Sequence, residues 1–218
     1  MIPDQTPVWD RKHRAGDHES MRHIPSPLSK LSEPRFSKYS KILELGCGVG
    51  RDAVFLAKKG HEVIATDSSE IVIRQDIEHF PDSSVEFSVL DMQEPLPFVP
   101  DSFDVVYANL SLHYYSHIKT REIVKEITKV LKIAGLLAFA CKSVDDFHHG
   151  NGEEVEENVF VAENGHVRHL FSIPYAKELL EDLFKIEYID TIEEEYNGVK
   201  SNILRCVARK IDIDEVET

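Results

Sequence analysis

Glu44, Gly46, Gly48 and Gly50 occupy alternate positions in ILELGCGVGRDAVFLAKKG, a segment that runs from Ile42 to Gly60 and passes from a short apolar run into a helical pattern. A glycine-rich turn between strand and helix brings the main chain up to a ligand with no Cβ in between. Its spacing decides which ligand. A dinucleotide-binding turn reads G-x-G-x-x-G and seats a diphosphate on the helix N-terminus. Here Gly46, Cys47, Gly48, Val49 and Gly50 follow one another. The Glu44 carboxylate just upstream sits poorly beside a diphosphate but suits a ligand that carries an ammonium and a sulfonium. S-adenosylmethionine is such a ligand. The Cys47 thiol inside the turn reads as structural, because nothing basic lies near it in sequence to lower its pKa.

Asp67, with Ser68 beside it, closes the next apolar run, HEVIATDSS, at the distance where an acidic side chain takes two ribose hydroxyls. Enzymes that use NAD share that feature. Asp91 closes VEFSVLD, where its carboxylate could accept from an adenine amino group while Met92 packs on the ring. Three acids at three successive strand ends would line one crevice, and a positively charged ligand is its natural occupant.

Methyl transfer from a sulfonium is an in-line displacement, so the protein must hold a nucleophile against the methyl group in a site shielded from water. NLSLHYYSH places His113, Tyr114 and Tyr115 beside such a donor. His113 titrates near neutral pH when unperturbed and could accept a proton; equally, His113 and Tyr115 could simply wall the pocket. His166, Arg168 and His169 in GHVRHLFS, together with Lys142, could orient an anionic substrate. Arg168 and Lys142 could also pair with the many nearby acids. His148, His149, His166 and His169 have no ligand spacing fixed by a helix face and no cysteine among them, so no metal site is expected and a solvated loop is. Trp9, Arg14 and Asp17 lie in RKHRAGDHES and its approach, which could fold over the mouth as a lid.

These residues require a scaffold that presents strand ends side by side. From Lys41 onward short apolar runs alternate with amphipathic ones, the signature of βα units on a parallel sheet. Strands are expected at KILELG, HEVIATD, VEFSVLD, FDVVYANL and GLLAFACKS. Helices are expected at RDAVFLAKKG, at SSEIVIRQDIEHF with Ile73, Ile77 and Phe80 on its apolar face, and at KTREIVKEITKVLK with Ile123, Ile127, Val130 and Leu131. After Ser143 the rhythm breaks into a long acidic, Asn- and Gly-rich stretch, too long for a plain connection. A helix at IPYAKELLEDL and two strands joined through Asn197-Gly198 follow, with IDIDEVET as a solvated end. The fold class is α/β: a Rossmann-like, seven-stranded, mostly parallel sheet with helices on both faces and the last strand antiparallel. One domain is expected over 1–218, with an N-terminal arm or lid at 1–40, a cofactor-binding core at 41–143, and a substrate loop, helix and terminal strands at 144–218.

The 218 residues carry 25 Lys plus Arg against 39 Asp plus Glu, a formal charge of -14 that repels nucleic acid and anionic lipid. Cys47, Cys141 and Cys206 are an odd set without CxxC spacing and read as buried, reduced thiols of a cytoplasmic protein. No signal-peptide h-region or spanning segment is evident. Oligomeric state is not legible.

LELGCGVGRDAVFLAKKGHEVIATDSS, VLDMQEPLPF and SFDVVYANLSLHYY together resemble the class I S-adenosylmethionine-dependent methyltransferases. The RAGDHES, CKSVDD and GHVRHLFS segments resemble, within them, the small tellurite-resistance and thiol methyltransferase group. The resemblance implies methyl transfer to a small-molecule acceptor, with S-adenosylhomocysteine as the product. It implies that Glu44, Gly46, Gly48 and Gly50 contact the methionine part, Asp67 the ribose, Asp91 and Met92 the adenine, and Asn109 the methionine end through its backbone. A module that binds the cofactor without turnover is an alternative; an NAD-dependent oxidoreductase is disfavoured by the glycine spacing and Glu44.

Overall fold

The computed structural model describes residues 2–196 and 198–212. Five strands, β1 (Lys41–Leu45), β2 (Glu62–Asp67), β3 (Glu86–Val89), β4 (Phe103–Asn109) and β5 (Leu131–Lys142), run parallel. A small antiparallel sheet follows, made of β6 (Glu153–Glu156), β7 (Val159–Val161) and β8 (Val167–His169). The chain then returns to the main sheet with β9 (Phe184–Tyr196) and β10 (Val199–Lys210). The main sheet has the order β3-β2-β1-β4-β5-β10-β9, with β10 antiparallel to both neighbours, as expected of the last strand. The turn residue Asn197 and most of the IDIDEVET tail lie outside the described residues.

Successive residues of each central strand face opposite sides of the sheet. Ile42, Val63, Val105, Leu136 and Val207 pack on one face with Ala53 and Leu56 of α3 (Arg51–Lys58) and Ile73 of α4 (Glu70–His79). Leu43, Val106, Leu137, Phe139 and Leu204 pack on the other with Ile123 and Ile127 of α5 (His117–Val130) and Leu179 of α6 (Ile173–Leu180). Because both faces are covered, the inner strands are apolar at nearly every position. Ser116 and Ser172 cap α5 and α6 by accepting from the amides of Lys119 and Tyr175. Each such cap contributes about 1 kcal/mol.

Four expectations need correction. Ile77 is exposed, because the buried face of α4 runs through Val72, Ile73 and Asp76, the last of which pairs with Arg22. Leu131 opens β5 rather than closing the α5 stripe. Residues 27–36 do not belong to a free arm: α2 (Pro27–Ser32) and Phe36 are built into the core, with Leu28 only 1% exposed. The stretch after Ser143 is not a solvated loop. It carries the small sheet, in which Val159 and Phe160 of β7 are both buried and the alternation of β8 buries Val167 and His169. At the beginning of the 1–40 segment, α1 (Thr6–Ala15) packs against α4.

Candidate functional site

A cavity of about 320 Å³ opens at the carboxyl ends of β1, β2, β4 and β5. The strand order reverses between β1 and β4, which is where open α/β sheets form a crevice. Its floor is acidic. Glu44 projects from β1, is 2% exposed, and one carboxylate oxygen, Oε2, has no hydrogen-bond partner. Burial, reinforced by the charges of Asp52 and Asp76, pushes its pKa well above the usual carboxylate range.

Asp52 and Asp67 share this floor but have partners. Asp52 accepts from the Ser26 amide at 2.8 Å and the Tyr107 hydroxyl at 2.9 Å. Asp67 accepts from the amides of Gly48 at 3.0 Å and Ser69 at 2.9 Å, so it ties the end of β2 to the glycine turn. Burial raises the Asp67 pKa, and those two amides oppose the rise.

The three glycines of the turn play different parts. Gly46 has φ +76, and a Cβ there would lie 2.5 Å from the Cβ of Ser111, whose Oγ donates to the Leu45 carbonyl. Gly48 has φ +53, and a Cβ there would meet no protein atom within 4 Å. Gly46 is thus packed against protein, whereas Gly48 is bare toward the cavity. Gly50 is the N-cap of α3 and does not line the cavity. The Cys47 thiol does line it, and burial drives its pKa well up.

Ser68, Met92 and Asn109 line the cavity as expected, joined by Leu90 and Leu110. Asp91 does not. Its carboxylate turns into its own loop and accepts from the Gln93 amide at 2.9 Å.

At the other end, beyond β4, the cavity is lined by His113, Tyr114, Tyr115, Lys142, His166 and Arg168. The idea that His113 titrates near neutrality does not hold. Burial, with Lys142 the foremost of several nearby cations, holds its pKa well below the usual value, and its Nδ1 has no partner. His169 lies behind the wall, fully buried between the rings of His117, Phe171 and Tyr175. Arg14 and Asp17 are exposed and outside the lining. Among the described residues no group of three His, Cys, Asp or Glu is disposed to hold a metal.

Trp9 covers the mouth. Its ring centroid lies 5.1 Å from Tyr114 and 5.4 Å from His166, each edge to face. Helix α1 is fastened by polar bonds that sequence reasoning missed. Gln5 donates to the Gly165 carbonyl and accepts from the Val167 amide, and Ser69 Oγ donates to Asp10. Lys12, His13, His18 and Met21 also reach the cavity from this segment. So do Val49, Arg51 and Asp52 from the turn, Ser111, His148, and Glu194, Ser201 and Ile203 from the terminal hairpin. The hairpin residues left no signal, since only the antiparallel return of β10 beside β5 brings them in.

Residues 42–135 match the family described as a methyltransferase domain. An uncharacterized methyltransferase of Synechocystis is 30% identical over 51% of this chain and 50% of its own length. The chain spans half or less of the length of the first curated relatives it matches. Among solved structures, an S-adenosylmethionine-dependent methyltransferase of Methanosarcina mazei is 26% identical with a TM-score of 0.72, covering 83% of this chain and 97% of that one. The Burkholderia thailandensis 1,6-didemethyltoxoflavin-N1-methyltransferase, solved with its substrate and S-adenosylhomocysteine, shares the fold at 20% identity. Its TM-score is 0.76, over 95% and 87% of the two chains. No described helix is long and apolar enough to cross a membrane.

Proposed function

We propose, from the match of residues 42–135 to the methyltransferase-domain family and the geometry of the crevice, that the protein binds S-adenosylmethionine there and methylates a small-molecule acceptor. The observation that carries the reading is the Glu44 carboxylate, buried with an unpartnered oxygen beside a glycine turn whose Gly48 is bare toward the cavity. A buried acid in that condition calls for a cationic neighbour, and the ammonium of the cofactor's methionine part fits it. The cofactor supplies an electrophilic methyl carbon on a sulfonium, which suits a site lined by carboxylates.

Glu44, Gly46 and Gly48 would hold the methionine part, with the Asn109 backbone at its end. Asp67 would take the ribose hydroxyls on the side of its carboxylate not engaged by Gly48 and Ser69. Met92 and Leu90 would pack against the adenine. Asp91 would reach the adenine amino group only by leaving its Gln93 bonds. The work left to the protein is orientation and exclusion of water. Trp9, Tyr114 and Tyr115 would supply an aromatic wall, and His113, whose buried Nδ1 has no partner in the protein, would stand beside the acceptor. The resemblance offers a soft thiol or chalcogen nucleophile, or a small metabolite acid, as the acceptor.

Calorimetric titration with S-adenosylmethionine, S-adenosylhomocysteine and NAD tests this reading. Binding of the two sulfur compounds and not NAD is the expected result; binding of neither sulfur compound would overturn the assignment.

A further inference from the structure

The acceptor end of the cavity contains a cation that the protein itself does not neutralise. Arg168 projects from β8 into the cavity, and among the described residues no carboxylate comes within 4.0 Å of its guanidinium and no side-chain hydrogen bond is made by it. After the Tyr114 phenol, the acid with an electrostatic hold on it is Asp146. That carboxylate is committed elsewhere. One oxygen of Asp146 accepts from the His148 amide at 3.1 Å and is bonded by the His148 ring. The other accepts from Ser201 Oγ and from the Asn202 amide at 2.9 Å, with Lys142 Nζ at 3.7 Å. A carboxylate has about four acceptor positions, and all of these are filled.

Lys142 is also incompletely used. Its ammonium donates to Ser201 Oγ and approaches Asp146, which leaves donor capacity facing the cavity. Around the two cations stand the unpartnered ring nitrogens of His113 and His166, and the Tyr114 ring stacks on His166. Burial lowers the pKa of Arg168, as expected of a guanidinium held out of water without a counter-ion.

Resting on the methyltransferase reading, we infer that this end of the cavity is an anion subsite in which Arg168, assisted by Lys142, holds a carboxylate on the methyl acceptor. The local charge favours a monoanion. Arg168 and Lys142 bring two positive charges and Asp146, just behind the lining, one negative, while burial raises the pKa of Glu194, the lining acid that the terminal hairpin brings beside Ser201. A carboxylate can meet the guanidinium fork bidentately and brings the single negative charge that the site balances.

The sole tryptophan, Trp9, is in contact with Tyr114 and His166, so its fluorescence reports on this end of the cavity. Benzoate, neutral benzamide and inorganic phosphate would be titrated into the full chain, with and without saturating S-adenosylhomocysteine, for wild type, Arg168→Gln and Arg168→Lys. Benzoate should bind and benzamide should not. Arg168→Gln should weaken benzoate by about ten- to a hundredfold, the loss of a charge-assisted bidentate contact. Arg168→Lys, which keeps the charge and the strand but loses the fork, should fall between, and it serves if Arg168→Gln does not fold. Equal binding of benzoate and benzamide, or unchanged benzoate binding in a natively melting Arg168→Gln protein, would overturn the subsite. Phosphate binding tighter than benzoate would overturn the carboxylate assignment. Carboxylate binding that depends on Arg168 in a chain that fails to bind S-adenosylhomocysteine would leave the anion subsite standing and remove the methyl-transfer reading.

Discussion

Replacing Gly48 and Gly46 by alanine, one at a time, separates a glycine needed for a ligand from one needed for the fold. At Gly48 the new Cβ meets no protein atom within 4 Å, so the cost to the fold is confined to the left-handed φ of +53. That is about 1–2 kcal/mol, or a melting temperature lower by about 2–8 °C in a chain of this length. At Gly46 the same strain is joined by a Cβ 2.5 Å from that of Ser111, which is anchored by its bond to the Leu45 carbonyl. Overpacking of this kind adds about 1–3 kcal/mol, so Gly46→Ala should be clearly the less stable protein. Affinity should run the other way relative to stability. S-adenosylhomocysteine at a hundred times its dissociation constant contributes about 2.7 kcal/mol and raises the wild-type melting temperature by about 5–11 °C. An unrelieved methyl clash in Gly48→Ala weakens it by about ten- to a hundredfold and removes half or more of that shift. The assay is thermal unfolding with and without the compound, backed by calorimetry. A wild-type ligand shift in Gly48→Ala, or a Gly48→Ala protein less stable than Gly46→Ala, would refute the division of labour read from the turn.

Four histidines around the lid make stability fall in mild acid. Burial holds His13 and His18 down to about 4 and His166 and His169 down to about 3, whereas an unfolded histidine titrates near 6.5. Below about 6.5 the unfolded chain therefore binds protons that the native chain refuses, and stability present above that pH is lost as pH falls toward 4 and 3. The melting temperature should drop steadily from pH 7 to pH 5; a flat profile would mean that these rings are not buried neutral. Asp67→Ala should both weaken S-adenosylhomocysteine and lower the melting temperature, because the Gly48 and Ser69 amides lose their acceptor; unaltered affinity would count against the ribose assignment. His113→Ala should reduce turnover more than cofactor affinity, and full turnover would return His113 to the pocket wall. All three thiols are buried with pKa values pushed up by burial. A thiol reagent at pH 8 should count three only after denaturation; rapid labelling of Cys47 in the native protein would show the turn to be open.

The cofactor half of the crevice was legible because its information is local. Glu44, the glycines and Asp67 lie at strand ends whose apolar runs announce themselves, and the βα rhythm places those ends side by side. The acceptor half is assembled from distant segments. Ser201 and Glu194 arrive through a hairpin that pairs antiparallel with β5, and Arg168, named from the sequence beside His166, is carried by a three-residue strand too short to declare itself by periodicity. Gln5 is the clearest omission. A glutamine in a proline-flanked terminus carries no pattern, yet it bonds both Gly165 and Val167 and so ties the start of α1 to β8 and the turn before it. The reading of the histidines at 148–169 as part of a solvated loop failed for a related reason: acidic residues dominate the first half of the stretch, while the buried positions are gathered at 159–160 and 166–171.

The N-terminal segment links the two halves physically. Arg22, 2% exposed, bonds Asp76 and Glu19 and donates to the Val49 carbonyl at 3.2 Å, directly behind the glycine turn. The Ser26 amide, four residues on, satisfies Asp52 on the cavity floor. The same segment begins with Trp9 and Gln5 at the mouth. Two of the four carboxylates gathered around the floor, Asp52 and Asp76, are therefore satisfied by the chain that also carries the lid. Glu44 is left without such a partner. Detaching α1 pulls on a segment whose next anchors are Arg22 and Ser26, so any opening large enough to strain those bonds also loosens the turn that Val49 and Asp52 belong to. The position of α1 at the mouth and the shape of the glycine turn are in this way coupled through the fifteen residues between Asp10 and Ser26.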